Sequence, residues 1–90
     1  MQVKFEAKAE KEFLALAKSA QIQILKYLKK IENLENPRDF GKALSGNLKN
    51  YWRYRVGDYR LLCKIQENEL IIVVVDINHR SKIYKMFKGK

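Results

Sequence analysis

Three arginines stand close together in a stretch of the chain that is otherwise rich in aromatic and β-branched residues. The stretch covers residues 51–65, YWRYRVGDYRLLCKI, and its arginines are Arg53, Arg55 and Arg60. A guanidinium can hold two nonbridging phosphate oxygens at once and can stabilise charge that develops on phosphorus. Several guanidiniums on one surface would therefore suit a phosphodiester.

The same stretch has the pattern of a β-hairpin, which would determine where these arginines point. Gly57 and Asp58 separate two strand-like runs, and glycine as the first of two loop residues is typical of a type II′ turn. Side chains alternate between the faces of a sheet, so the hairpin divides into two sets. The predicted core set is Trp52, Tyr54, Val56, Tyr59, Leu61 and Cys63. The predicted outward set is Tyr51, Arg53, Arg55, Arg60 and Lys64.

An apolar run near the C-terminus predicts a further strand beside the hairpin. The run includes LIIVVVDI, residues 70–77, and follows Glu67-Asn68, which has the pattern of a tight turn. Such a turn would place Arg60 opposite Val75, and it would bring the end of the last strand beside the hairpin tip. A shift of one residue would exchange the two faces of the strand.

This predicted register brings a second group of reactive side chains towards the arginines. His79 and Arg80 would emerge beside Arg55 and Arg60, with Tyr84 within reach from the C-terminal tail. Histidine can exchange a proton near neutral pH, and aromatic rings can stack on unpaired bases. Residue types alone thus predict a basic domain that binds RNA or DNA, and they leave open whether it is a nuclease. A solvated or simple nucleic-acid-binding surface is the more frequent use of an arginine-rich strand face.

Length and charge agree with a small domain that has an anionic partner. The 90 residues are enough for one domain, residues 1–90, and an apolar fraction of 47% is normal for a globular chain. Lys and Arg number 19 against 10 Asp and Glu, which gives a net charge of +9. A polyanionic partner such as a nucleic acid is therefore expected.

Cysteine and histidine content exclude several classes of site. The single cysteine, Cys63, has no partner for an intrachain disulfide and is predicted to be a buried apolar residue. One cysteine and one histidine do not make a structural zinc site, so no metal and no small-molecule cofactor are expected. We see no signal segment and no apolar run long enough to cross a membrane, and a cytoplasmic location is therefore expected.

The rest of the chain predicts two helices before the hairpin. Residues 2–6 alternate as a short strand, residues 7–20 are dense in helix formers, and Ser19 is a candidate cap for a second helix. The second helix would end at Asn36-Pro37, and its Ile22 and Leu25 fall outside the apolar stripe. Residues 40–50 are predicted to be a connector with one helical turn around residues 42–45. The order β-α-α-β-β-β predicts an α+β fold, in which two helices cover one face of a small antiparallel sheet and a short helical tail follows.

Two segments of the chain resemble a known family of toxins. The hairpin with its lead-in, LSGNLKNYWRYRVGDYRLLCKI, and the later HRSKIY resemble the RelE/ParE superfamily of prokaryotic type II toxin–antitoxin modules, and the likeness covers essentially the whole chain. The tail, with His79, Arg80 and Tyr84, is similar to the RelE-like branch. Members of that branch are mRNA endonucleases that act in the ribosomal A site, whereas ParE-like members inhibit DNA gyrase.

The resemblance implies roles for individual residues. Arg60 corresponds to the phosphate-binding arginine of RelE-type enzymes, and Tyr51 and Arg53 stand where some members carry two catalytic lysines. The implied catalytic set is Arg60, His79, Arg80 and Tyr84, and the implied RNA-binding set is Tyr51, Arg53, Arg55, Lys64 and Lys82. The implied partners are a cognate antitoxin, mRNA and the ribosome. The mRNA endonuclease is the favoured function, and a gyrase inhibitor that is not a nuclease is the alternative.

Overall fold

Two helices pack against one face of a five-stranded mixed sheet. The computed structural model describes residues 1–79, and within them the sheet order is β1-β5-β4-β3-β2. Strand β1 runs parallel to β5, and the other neighbours are antiparallel. The elements are β1 (Gln2–Phe5), α1 (Ala7–Leu14), α2 (Lys18–Glu32), β2 (Lys42–Ala43), β3 (Trp52–Val56), β4 (Tyr59–Gln66) and β5 (Ile71–His79). The predicted α+β class is confirmed, while the predicted helical tail lies outside the described residues.

The core lies between the helices and the sheet. Apolar residues of α1 and α2 recur at helical spacing and meet the inward positions of the strands. The buried cluster consists of Ala9, Phe13, Ile24, Leu28, Ile31, Tyr54, Val56, Leu61, Cys63, Ile72, Val74 and Ile77. Ile22 and Leu25 stay exposed, as the helical pattern predicts, with 46% and 50% of their surface accessible.

The helices begin and end at other residues than the sequence predicts. The break falls at residues 15–17, and α2 begins at Lys18 without a side-chain cap, so Ser19 is not the cap. The side-chain amide of Gln21 instead donates to the carbonyls of Phe13, Leu14 and Leu16. A side chain from the next helix thus adds a donor near the end of α1, where the last carbonyls lack the regular intrahelical partner.

Strand β2 occupies part of the connector for which a helical turn was predicted. Lys42 and Ala43 pair with Arg53 and Trp52 at the edge of the sheet. Gly41 makes this approach possible, because its φ is +81° and a Cβ there would lie 2.5 Å from the carbonyl oxygen of Arg53. The indole N–H of Trp52 donates to the carbonyl of Phe40 at 2.8 Å, which further ties the connector to the sheet.

The predicted hairpin is confirmed in register and in turn type. Arg55 lies opposite Arg60, and Arg53 lies opposite Leu62. Gly57 has a φ of +58°, and Asp58 is not among the described residues with positive φ, which is the combination that a type II′ turn requires. The predicted division of the two faces therefore follows: Tyr54, Val56, Leu61 and Cys63 are buried under the helices.

The predicted register between the hairpin and the last strand is wrong by three residues. Arg60 lies opposite Asn78 rather than Val75. Two residues of the difference come from the connection, since Glu67–Glu69 forms a 3-10 turn followed by Leu70 in the left-handed conformation. The third comes from a bulge in β5, where the residues opposite Leu62 and Cys63 are Asp76 and Val74. A register shift by an odd number of residues exchanges the two faces of β5, so His79 lies on the opposite face from the one predicted.

Candidate functional site

The face of the sheet opposite the helices, here called the outer face, collects basic side chains from four strands. Alternation and register assign to it a set of six: Lys4 of β1, Lys42 of β2, Arg53 and Arg55 of β3, and Arg60 and Lys64 of β4. The sequence pattern identified the hairpin members of this set and missed Lys4 and Lys42. Their place depends on strand pairing with distant parts of the chain, and local alternation does not show it.

Strand pairing arranges these side chains in rows across the sheet. Lys42 lies directly opposite Arg53, and Arg55 lies directly opposite Arg60. Paired residues of antiparallel strands have Cβ atoms about 5 Å apart and on the same face. Like charges at that distance repel each other, so the rows favour an anion between or above them.

The two central arginines differ in how they are held. The Arg53 side chain is half-buried, and its Nε is buried without a hydrogen-bond partner. Arg60 donates from Nη1 to the carbonyls of Gly57 at 3.2 Å and Tyr59 at 3.1 Å. These contacts hold the Arg60 guanidinium at the hairpin turn.

Tyr51 stands beside the rows, immediately before β3. The Nζ of Lys64 lies 5.4 Å from the centre of the Tyr51 ring, which is a cation–π distance. Tyr51 and Lys64 thus lie next to each other on the outer face, as both were predicted to do. The face offers cations for phosphates and an aromatic ring for a base.

Asp76, which the register assigns to this face, is already engaged. Asp76 lies opposite Leu62 in the register, and its Oδ1 is 2.6 Å from Nζ of Lys8 in α1. Partial burial is the largest single effect and opposes ionisation of Asp76, but the hydrogen bond and charge of Lys8, together with interactions with Glu12 and Asn78, hold the pKa of the carboxyl below its ordinary value. In the strands of residues 1–79 no other Asp or Glu is assigned to the outer face.

His79 ends β5 beside the hairpin tip, as predicted, but its side chain shares a face with Tyr59. The two are direct partners in the register, and their rings meet edge to face with centroids 5.8 Å apart. Tyr59 packs against the core cluster under the helices. The predicted placement of His79 with Arg55 and Arg60 is therefore wrong, because the three-residue shift assigns His79 to the helix side.

Three predicted site residues, Arg80, Lys82 and Tyr84, lie outside the described residues. Their roles remain predictions, as do the catalytic roles of Arg60 and His79.

Cys63 is buried in the core as predicted. Burial raises the pKa of its thiol well above the ordinary value, so the thiolate needed for nucleophilic chemistry is disfavoured. Within residues 1–79 no three His, Cys, Asp or Glu side chains come together as a metal site would require. No helix in the same part of the chain is both long and apolar enough to cross a membrane.

Comparison with known proteins identifies the family. The sequence model of the ParE toxin of the type II toxin–antitoxin system parDE matches residues 3–84. The chain belongs to the RelE/ParE superfamily of type II toxins. No curated protein sequence matches it significantly.

Solved structures of RelE/ParE toxins share the fold of this chain. The RelBE2 toxin–antitoxin complex of Mycobacterium tuberculosis matches with a TM-score of 0.79 and 24% identity, covering 89% of this chain and 91% of that one. A doubly substituted E. coli RelE in the free state gives a TM-score of 0.73 and 23% identity, with 93% and 90% covered. A YoeB/ParE toxin from Agrobacterium tumefaciens matches with a TM-score of 0.68 and 11% identity, covering 88% of this chain and 98% of that one. At these identities the likeness extends to the fold.

Proposed function

We propose that this toxin is a ribosome-dependent mRNA endonuclease whose substrate lies on the outer face. The observation that carries the proposal is the set of cation rows, Lys42 with Arg53 and Arg55 with Arg60, on a face whose nearby carboxylate is bound to Lys8. A surface of this charge attracts the phosphate backbone of a nucleic acid. Arginines that are fixed on strands also present donors that need little reorganisation during a reaction.

The proposed reaction is the attack of a ribose 2′-oxygen on the adjacent phosphate. The 2′-hydroxyl loses its proton to a base, the new P–O bond forms, and the 5′-oxygen leaves with a proton from an acid. The products are a 2′,3′-cyclic phosphate and a 5′-hydroxyl. In this scheme Arg60 stabilises the charge that develops on phosphorus, because its guanidinium is held at the hairpin turn.

Proton transfer is assigned to Tyr84, with Arg80 as a further charge-stabilising group, and His79 could share it only if its ring left Tyr59 and turned towards the outer face. These roles rest on the resemblance of HRSKIY to the RelE-like branch. His79 ends β5 next to the hairpin tip, where Arg60 follows its direct partner Tyr59. The ribosome is part of the proposal because it would hold the message in the A site while the toxin binds it.

A second candidate function is inhibition of DNA gyrase without nuclease activity. The observation in its favour is the match of residues 3–84 to the ParE toxin family. The absence of the two family lysines at Tyr51 and Arg53 also fits a toxin that does not cleave RNA.

The proposed protein partner is an acidic antitoxin that folds on binding. Ile22 and Leu25 are three residues apart on α2, and both are exposed apolar side chains among lysines. An amphipathic helix with acidic flanks would cover this surface and oppose the net charge of +9. The M. tuberculosis and E. coli toxins with the same fold are seen in complexes with antitoxins.

The two functions are separated by induced expression followed by mapping of mRNA 5′ ends. We expect new 5′ ends within translated messages, and we expect them to depend on ribosomes in a purified translation system. Growth arrest with intact messages and a DNA damage response would contradict the nuclease and favour the gyrase inhibitor.

A further inference from the structure

The outer face contains an ordered path along β3, and Lys42 is part of it. The outward positions of β3 are Arg55 and Arg53, and Tyr51 immediately precedes the strand, two residues before Arg53. Alternate residues of a strand are about 7 Å apart, which is comparable to the separation of successive phosphates in an extended single strand. Each position has a neighbour across the sheet: Arg60, Lys42 and Lys64, respectively.

We propose that these three rows bind three successive parts of one RNA strand running along β3. The inference rests on the proposed function and adds the path of the substrate. The Arg55–Arg60 row holds the reacting phosphate, the Lys42–Arg53 row holds the neighbouring phosphate, and the Tyr51 ring stacks on a base beyond it. Lys42 is a positioning residue in this arrangement, since it fixes the strand without contacting the reacting phosphate.

Arg53 presents a partly fixed guanidinium at the middle row. Its Nε is buried, so a bound phosphate would meet the terminal nitrogens of this guanidinium and not Nε. Lys42 comes from a two-residue strand at the sheet edge and is exposed. A phosphate bound between the two would give each cation an anionic partner and relieve their mutual repulsion.

The third row has the features of a base platform rather than a phosphate site. Lys64 lies against the Tyr51 ring, with its Nζ 5.4 Å from the ring centre, so its charge is directed at the aromatic face. The ring is half-buried, which limits its motion, and a base can stack on its other side. Bases of every type stack on such rings, so this row contributes affinity with little sequence preference.

Salt dependence of binding separates phosphate contacts from stacking. The probe is a fluorescent 2′-O-methyl oligoribonucleotide, which binds as RNA does but lacks the attacking hydroxyl, and its binding is followed by anisotropy between about 50 and 300 mM salt. Removing one cation that binds a phosphate of a single strand lowers the slope of log K against log salt by about 0.7. Removing a stacked ring lowers affinity while leaving the slope unchanged.

The expected results differ for each row. Lys42→Ala should lower the slope by about 0.7 and leave the melting temperature unchanged, since the side chain is exposed. Tyr51→Ala should weaken binding about tenfold with an unchanged slope, and Tyr51→Phe should bind like the parent. Lys29→Ala, an exposed lysine of α2 on the helix side, is the matched control and should change neither quantity.

Three outcomes would overturn the path. The first is an unchanged slope for Lys42→Ala, and the second is a parent that does not bind the oligonucleotide. The third is an equal change of slope when polyglutamate replaces the RNA, which would show a general anion surface without ordered rows. Message cleavage is measured separately from binding. If the parent cuts messages but Lys42→Ala has the same salt slope as the parent, the path is refuted and the nuclease is not. A parent that binds as expected without cutting refutes the nuclease alone.

Discussion

The Glu12 carboxylate of α1 accepts a hydrogen bond from the backbone N–H of Ile77 in β5, with 2.8 Å between Oε1 and the nitrogen. Strand β1 covers β5 only as far as Val74, so the later part of β5 would otherwise present an open edge. The Glu32 carboxylate of α2 does the same for Val3 of β1, also at 2.8 Å. Both helices thus use a carboxylate to satisfy a strand N–H group that has no neighbouring strand. Strand edges with unpaired N–H groups can otherwise pair with another chain.

Removing the Glu12 acceptor should destabilise the toxin. Glu12→Ala leaves the part-buried N–H of Ile77 without a partner, which costs about 1–3 kcal/mol in the free energy of unfolding measured in urea. Glu12→Gln keeps a carbonyl acceptor and should be less destabilising. Glu10→Ala is the matched control, because Glu10 is exposed on the same helix and takes no part in this hydrogen bond. Equal destabilisation by Glu10→Ala and Glu12→Ala would show that the edge hydrogen bond is unimportant.

The Lys8–Asp76 pair should make stability depend on acid pH. The pKa of Asp76 is held below its ordinary value in the folded toxin, so its contribution is complete above the unfolded value of about 4 and disappears as pH falls through the folded one. Lys8 is mostly exposed, so the contribution should stay below about 1 kcal/mol. Urea unfolding from pH 6 to pH 2 should give a shallower profile for Asp76→Asn than for the parent. Identical profiles would contradict the assignment.

Gly57 should tolerate substitution less well than Gly46. Both have positive φ, +58° and +63°, and a side chain in this region costs about 1–2 kcal/mol. A Cβ on Gly57 would also lie 3.0 Å from the amide of Gln23, whereas nothing lies within 4 Å at Gly46. Because Gln23 is exposed and its side-chain end can move, Gly57→Ala should lower the free energy of unfolding only slightly more than Gly46→Ala does. In a background with Gln23→Ala, this difference in destabilisation should disappear. If it persists, its cause lies in the conformation of the turn and not in the contact with Gln23.

Arg60→Ala should abolish growth inhibition while the toxin stays folded. Removal of one positioned donor to a transition state typically lowers the rate about 100-fold or more, and cleavage of ribosome-bound mRNA is the measurement. Arg60→Lys keeps the charge but not the paired donors, so it should recover only part of the rate. Circular dichroism and melting temperature control for the missing hydrogen bonds to Gly57 and Tyr59. A folded Arg60→Ala toxin with full activity would refute this role.

Leu25→Glu should weaken the complex with the antitoxin without reducing toxicity. Leu25 is half exposed, so the free toxin should keep its stability to within about 0.5 kcal/mol. Removing a leucine that the antitoxin covers and adding a charge that repels an acidic partner should lower affinity about tenfold or more, as measured by titration calorimetry. Leu70→Glu is the matched control, because Leu70 is 64% exposed in the β4–β5 connection. Equal affinity of the parent and Leu25→Glu would exclude this surface of α2.

The hairpin and both helices could be predicted from sequence because their signals are local. Glycine in a two-residue loop determines the turn, the turn determines the pairing of Arg55 with Arg60, and alternation then separates core from outer face. The exposure of Ile22 and Leu25 followed in the same way from the helical period. The arginine face was therefore predictable from residues 51–65 alone.

Only the tertiary structure decided which distant residues join that face. Lys42 reaches it through an edge strand held by the close approach of Gly41 to Arg53, and Lys4 reaches it through parallel pairing of β1 with β5. The side on which His79 lies depends on a bulge and on the length of one connection. Each residue added in either place moves the side chains of β5 to the opposite face of the sheet. Alternation along a strand is a property of the local chain, whereas pairing between distant strands depends on packing across the whole sheet.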